Sequence, residues 1–215
     1  MSRRVLSVSL ALLGFAAAAV IGVRLTRSPE TVFEPRTRPI EAAPLCPWRN
    51  VEEDLRAFFP AATSHRAETK ILSGVRVELA AKLKRPVTPE ENALQLNHIF
   101  ASSNWIGTVL TRRVKGEYGA IEVVAAFDTN AVIKGVRLQR IREPQPIAAA
   151  LRNQDWLAAF AGKGSESGWD VDRDFPPVPP AARGSAAAVI DGVRSLSMLF
   201  TIPAEPIRAI PHHAP

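Results

Sequence analysis

The 215-residue sequence contains one cysteine, one tyrosine and two methionines. A single cysteine, Cys46, can neither close an internal disulfide nor build a cysteine metal site. In Leu45-Cys46-Pro47-Trp48 it reads as a partly buried small apolar residue. Histidine is scarce as well. His98 falls on the apolar side of a strand pattern and reads as a satisfied core histidine, while His212 and His213 read as tail. There is no phosphate loop, no Gly-x-Gly-x-x-Gly, no His-Glu-x-x-His and no nucleophile elbow. No carboxylate pair stands out as an acid/base couple. These absences disfavour a stand-alone substrate-converting enzyme and point to an accessory or binding role.

The charge is +6, and most of it is local. Residues 1–40 hold six arginines (3, 4, 24, 27, 36 and 38) against Glu30 and Glu34. No Arg/Lys stripe interleaves with aromatics, so nucleic acid is not an expected partner. A basic excess beside a membrane explains the charge better. Apolar residues at 47% and charged residues at 22% are an ordinary globular balance.

Val5 to Val23 carries no charge and is long enough to span a hydrocarbon core. Residues 1–27 therefore read as an N-terminal transmembrane helix, with a cleaved secretory signal ending near Ala16–Ala19 as the alternative. The short N-terminus places the domain on the periplasmic side of the inner membrane. Residues 28–47 are rich in Pro and Arg and read as a tether. A domain over 48–202 follows, then a Pro-rich tail, 203–215.

Within the domain, Trp48 to Phe59 reads as a helix, with Asn50 as a possible cap and Glu52, Glu53 and Asp54 suited to its N-terminus. Ile71–Val77 suggests a strand and Val75–Leu83 a short helix. Asn92 to Ile141 alternates apolar and polar residues between short Gly, Asn and Asp turns. That pattern predicts four consecutive strands, a twisted antiparallel β-meander with one buried face. Gly135 marks a bulge or a close backbone approach. Arg142 to Pro146 breaks the pattern. Asn153 is placed to cap a helix bearing Trp156, Leu157 and Phe160, with Gly162 at its end. Ala186, Val189, Ile190, Val193, Leu196 and Phe200 share one face of a final helix, which should pack on the sheet. The expected fold class is α+β, a meander packed with helices.

Three stretches carry a resemblance: Arg142-Glu143-Pro144, the run Arg152 to Lys163 around Trp156, and Val189-Ile190-Asp191-Gly192-Val193-Arg194. With Phe58-Phe59-Pro60-Ala61-Ala62-Thr63, they make most of Phe58–Leu199 resemble the FMN-binding domain family. This family includes flavin subunits of Rnf-type and sodium-pumping NADH:quinone reductase complexes and nitrous-oxide-reductase regulators. The resemblance implies FMN as cofactor, a membrane location, other subunits of a membrane redox complex as partners, and electron transfer as the task. It also implies cofactor-binding roles for Glu143, Trp156, Lys163, Arg183, Gly184 and Ser185.

The attachment motif departs from the family. Its Asp-x-x-Ser-Gly-Ala-Thr, whose Thr esterifies FMN, aligns without gaps so that Arg183 takes the place of the Thr and Ala181-Ala182 that of Gly-Ala. A two-residue gap would put Ser185 at the acceptor. Pro146, Ile147 and Ala148 stand where glycines usually follow Glu143. Arginine has no hydroxyl, so covalent attachment is not expected unless Ser185 supplies one. Non-covalent binding would use Arg183 on the phosphate beside the free N–H groups at Gly184 and Ser185. Against it stands the simpler reading, in which Ser185 caps the helix and Arg183 is solvated. Two functional expectations follow, an electron-transfer FMN subunit or a flavin-free structural or assembly subunit.

Overall fold

The computed structural model describes residues 46–202. The expected anchor, nearly all of the tether and the tail lie outside them. Among the described residues no helix is long and apolar enough to cross a membrane.

Helix α1 (Val51–Phe58) leads to strand β1 (Ser64–Ile71), and a 3-10 turn, Ser73–Val75, leads into α2 (Arg76–Leu83). Strands β2 (Ala93–Ala101), β3 (Asn104–Lys115), β4 (Ala120–Phe127) and β5 (Ile133–Ile141) follow. Helices α3 (Gln145–Leu151), α4 (Gln154–Ala158) and α5 (Arg183–Thr201) complete the chain. The five strands form one antiparallel sheet in the order β1-β2-β3-β4-β5. The α+β meander expected over Asn92–Ile141 is thus present, extended at one edge by β1. Its turns are those signalled by polar residues: the Asp128 carboxylate accepts the amides of Asn130 at 2.8 Å and Val132 at 2.9 Å.

Several expectations are corrected. The sheet is covered on both faces, not one. Leu94, Leu96, Leu110, Ile121, Val123 and Ala125 pack against α2, α3 and α5, whereas Ile99, Val109, Val124 and Ala126 pack beneath Trp48, Leu55, Phe58 and Phe59. Every residue of β4 after Ala120 is consequently buried. The strand sought at Ile71–Val77 instead ends at Ile71. Its body, Ser-His-Arg-Ala-Glu-Thr-Lys, is nearly all exposed and shows no alternation. Asn50 precedes α1 but makes no side-chain cap; its amide donates to Glu53 at 3.3 Å. The unforeseen α3 starts right after Pro144, with Pro146 in its first turn, where a missing N–H costs nothing.

Other expectations hold. Gly135 is a close approach, since a methyl group there would lie 2.5 Å from Phe58 Cε1. His98 shares the face of Leu94 and Leu96; its Nδ1 lies 3.0 Å from Thr108 Oγ1 and its Nε2 3.3 Å from Glu68. Cys46 is buried, and burial followed by the charge of Glu122 pushes its thiol up to about 11. Asn153 caps α4, its side-chain oxygen accepting the amides of Asp155 at 2.9 Å and Trp156 at 3.1 Å. Asn153→Ala should cost about 1 kcal/mol of stability. A urea midpoint unchanged from the parent protein would contradict that.

Helix α5 lies against β3 and β4. Gly192 allows the close contact, since a methyl group there would sit 2.4 Å from Val114 Cγ1. At the other end the buried Lys70 reaches from β1 to the last carbonyls of the helix, bonding Leu199 O at 3.4 Å, Phe200 O at 3.3 Å and Ile202 O. A cation there meets the negative end of the helix dipole. Burial pulls the Lys70 ammonium below its ordinary value.

Candidate functional site

The β3–β4 hairpin, Lys115 to Ala120, brings three of the six sequence-derived site residues together. Glu143 follows β5 and turns its carboxylate onto the hairpin, accepting the amides of Tyr118 at 3.2 and 3.3 Å and of Gly119 at 3.3 Å. Gly116 and Gly119 leave room for this crossing; a methyl group at Gly116 would lie 2.0 Å from Glu143 Oε1. From the other side, Ser185 meets the same hairpin. It is fully buried, and its hydroxyl accepts the Glu117 amide at 3.0 Å. Ser185 does not cap the helix. Residue Ala182 precedes α5, with no side-chain cap bond. Gly184 borders Glu117, whose Oε2 would lie 2.7 Å from a methyl group placed there.

The other three site residues lie elsewhere. Arg183 pairs with Asp172, both side chains being 60% exposed. Together with Val171, Pro177, Val178 and Pro180 they line a hollow of about 250 Å³. Trp156 is buried in a cluster with Phe160, Trp169 and Phe175, with ring centroids 4.8 to 6.4 Å apart. Lys163 closes that cluster: its ammonium sits 4.8 Å from the Phe175 ring centroid and donates to Gly168 O at 2.9 Å. Trp156 and Lys163 therefore form core and lid together.

These contacts bear on a flavin phosphate. The amide end of a long helix attracts an anion. At the head of α5 the exposed Glu117 carboxylate lies beside Gly184. A phosphate there would meet that charge and, across the hairpin, that of Glu143. The Ser185 hydroxyl lies beneath, already engaged. The buried and engaged Ser185 does not fit an esterified phosphate at this position.

The strongest electrostatic arrangement is one that the sequence reading missed. Glu91 is fully buried and accepts five bonds: from Arg85 at 2.8 and 2.9 Å, from Arg112 at 2.7 Å, from Ser195 at 2.6 Å and from the Thr88 amide at 2.8 Å. Burial alone would raise its pKa, but the bonds from Arg85, Ser195 and Thr88 and the charge of Arg112 outweigh burial and hold the carboxyl far below the usual range. A recognisable signal was present. Thr88-Pro89-Glu90-Glu91 has capping-box spacing, and the Glu91 carboxylate accepts the Thr88 amide as that box requires. Ser195 and Asp191 bring α5 to this centre, with Asp191 3.2 Å from Arg85. On the opposite sheet face, buried Glu122 pairs with Arg49 and Arg113, each at 3.0 Å.

A cleft of about 700 Å³ opens beside the Glu91 centre, between α5, β3 and the segment around Arg85. Among the described residues no group of His, Cys, Asp and Glu side chains is arranged to hold a metal ion. No protein-family model matches the chain, and no curated protein matches it significantly.

Proposed function

We propose that this chain is a flavin-free, FMN-binding-domain-like protein, held at the inner membrane with its domain on the periplasmic side, and that it serves as a structural or assembly subunit of a membrane redox complex. The family and membrane parts of this reading rest on the sequence: the runs around Glu143, Trp156 and Asp191, and the uncharged Val5–Val23. The flavin-free part rests on one observation. At the head of α5 Ser185 is buried with its hydroxyl already engaged by the Glu117 amide, and the Glu117 carboxylate lies beside Gly184. A molecule so arranged offers other proteins a rigid surface; it does not carry electrons itself.

A second reading keeps the electron-transfer role with non-covalent FMN. It is favoured by Arg183, whose exposed guanidinium borders the hollow near Pro177. Purification separates the two. The full-length protein in detergent should be colourless, without flavin absorption, and micromolar FMN should leave its melting temperature unchanged. A yellow preparation, or a melting temperature that climbs with FMN concentration, would replace the first reading with the second.

A further inference from the structure

We propose that the free edge of β1 pairs with the same edge of a second copy of this chain, joining two five-stranded sheets about a two-fold axis at Ala67. Strand β1 stands first in the sheet order and has β2 on one side only. Of its residues only Lys70 is buried. The register with β2 is unbroken from Ser64↔Phe100 to Ile71↔Ala93. It continues in the bond from the Leu72 amide to Asn92 O. The peptide groups of an antiparallel strand turn alternately to its two sides. Leu72 turns to β2, and so do Lys70, Glu68 and Arg66. His65, Ala67, Thr69 and Ile71 turn their N–H and C=O outward. Among the described residues no backbone bond reaches these outward groups.

The phase of these groups restricts the register. Two such edges bond only when outward residues face outward residues, which excludes every pairing shifted by one. Of the registers left, the one centred on Ala67 sets Arg66 opposite the partner's Glu68, and Glu68 opposite the partner's Arg66. These are non-hydrogen-bonded pairs, where side chains approach most closely. A shift of two in either direction sets Arg66 against Arg66 or Glu68 against Glu68. Opposite charges directly across a sheet stabilise it, and like charges destabilise it. Both side chains are available, since Arg66 and Glu68 are exposed. Among the described residues Arg66 has no carboxylate partner, and Glu68 meets only His98 Nε2, at 3.3 Å. The order Arg-x-Glu is thus self-complementary, as a two-fold contact requires.

The geometry also suits chains held at one surface. A two-fold axis between two antiparallel edge strands stands normal to the sheet, so each sheet face stays on its own side. Cys46 lies on the α1 face. Its carbonyl accepts the Thr111 hydroxyl, and Thr111 is opposite Val124 of that face. Both copies therefore present Cys46 on the same side, as two chains anchored in one membrane require. Charged residues can instead guard an edge against pairing, and a monomer is that competing outcome. The inference holds whether or not flavin is bound.

Sedimentation of the full-length protein in detergent tests it. The contact is short, so a monomer–dimer equilibrium in the micromolar range is expected. Arg66→Glu should weaken the dimer by about tenfold or more, because both symmetric pairs turn from attraction to repulsion. Combining Arg66→Glu with Glu68→Arg should restore it. All three proteins should unfold at the same temperature when dilute, since both side chains are exposed. Ala67→Cys should form an intermolecular disulfide on oxidation and Thr69→Cys should not, because only residue 67 faces itself. A monomer at every concentration would leave Arg66 and Glu68 as guards and overturn the proposal. A dimer indifferent to Arg66→Glu would overturn it too, placing the contact on another surface.

Discussion

Replacing Glu91 by alanine is expected to lower the unfolding free energy by about 3–5 kcal/mol, the range for removing one partner of a buried ion group. The size follows from what is left behind. Arg85 and Arg112 would keep their charges in a place built around a carboxylate, and the Ser195 hydroxyl and Thr88 amide would lose their acceptor. The damage would also spread, because Glu91 joins three separate parts of the chain: the segment before β2, the middle of β3 and the middle of α5. Urea unfolding of the full-length protein and of Glu91→Ala measures the effect. A loss below about 1 kcal/mol, the value of an exposed pair, would show that water reaches the centre and that Glu91 is not a structural hub.

The same group sets a pH dependence. The folded pKa of Glu91 lies far below the unfolded value of about 4.3. Its contribution to stability is therefore complete above that value. It declines as the pH falls further, because the unfolded chain then takes up a proton that the folded chain refuses. Between pH 5 and 2 the parent protein should lose stability steadily. Glu91→Gln should start lower and fall less steeply. Glu122, also held low by Arg49 and Arg113 against its own burial, will keep part of the slope in both proteins.

How much of this could be read from the chain depended on whether the cause was local. The meander was legible because Ile121, Val123 and Ala125 alternate with their neighbours and short polar turns separate the runs. The Asn153 cap was legible because its partners are two and three residues away. Strand β1 was not, since an exposed edge strand needs no apolar face. The covering of the second sheet face was hidden too, because Val124 and Ala126 read as the solvent side until α1 is placed over them. At the candidate site, sequence spacing named Glu143, Gly184 and Ser185, and all three do meet at one hairpin. It could not reveal that Glu117, from a distant turn, completes that meeting. Nor could spacing separate Arg183 from Ser185, two residues apart on one helix, whose side chains go to different loops.

Phe160→Ala is expected to be comparably severe, about 3–5 kcal/mol, as for a fully buried aromatic cut back to a methyl group. Phe160 touches Trp156, Trp169 and Phe175 at centroid distances of 5.3, 6.4 and 4.8 Å, and none of its surface is exposed. Three segments meet there: α4, the loop after it and the stretch leading to the prolines before α5. The cavity could close only if all three moved, and Gly162, whose amide is bonded to Ile133 O at 2.8 Å, ties that region to β5. The measurement also bears on function. Were Trp156 and Phe160 the walls of a ligand slot, the ligand-free protein would tolerate Phe160→Ala with little change, and the loss would appear only in ligand affinity. A large drop in the melting temperature of colourless, ligand-free protein identifies the cluster as core. A drop of less than about 2 °C, well under the shift that such an energy implies for a domain of this size, would return Trp156 to the list of candidate flavin contacts.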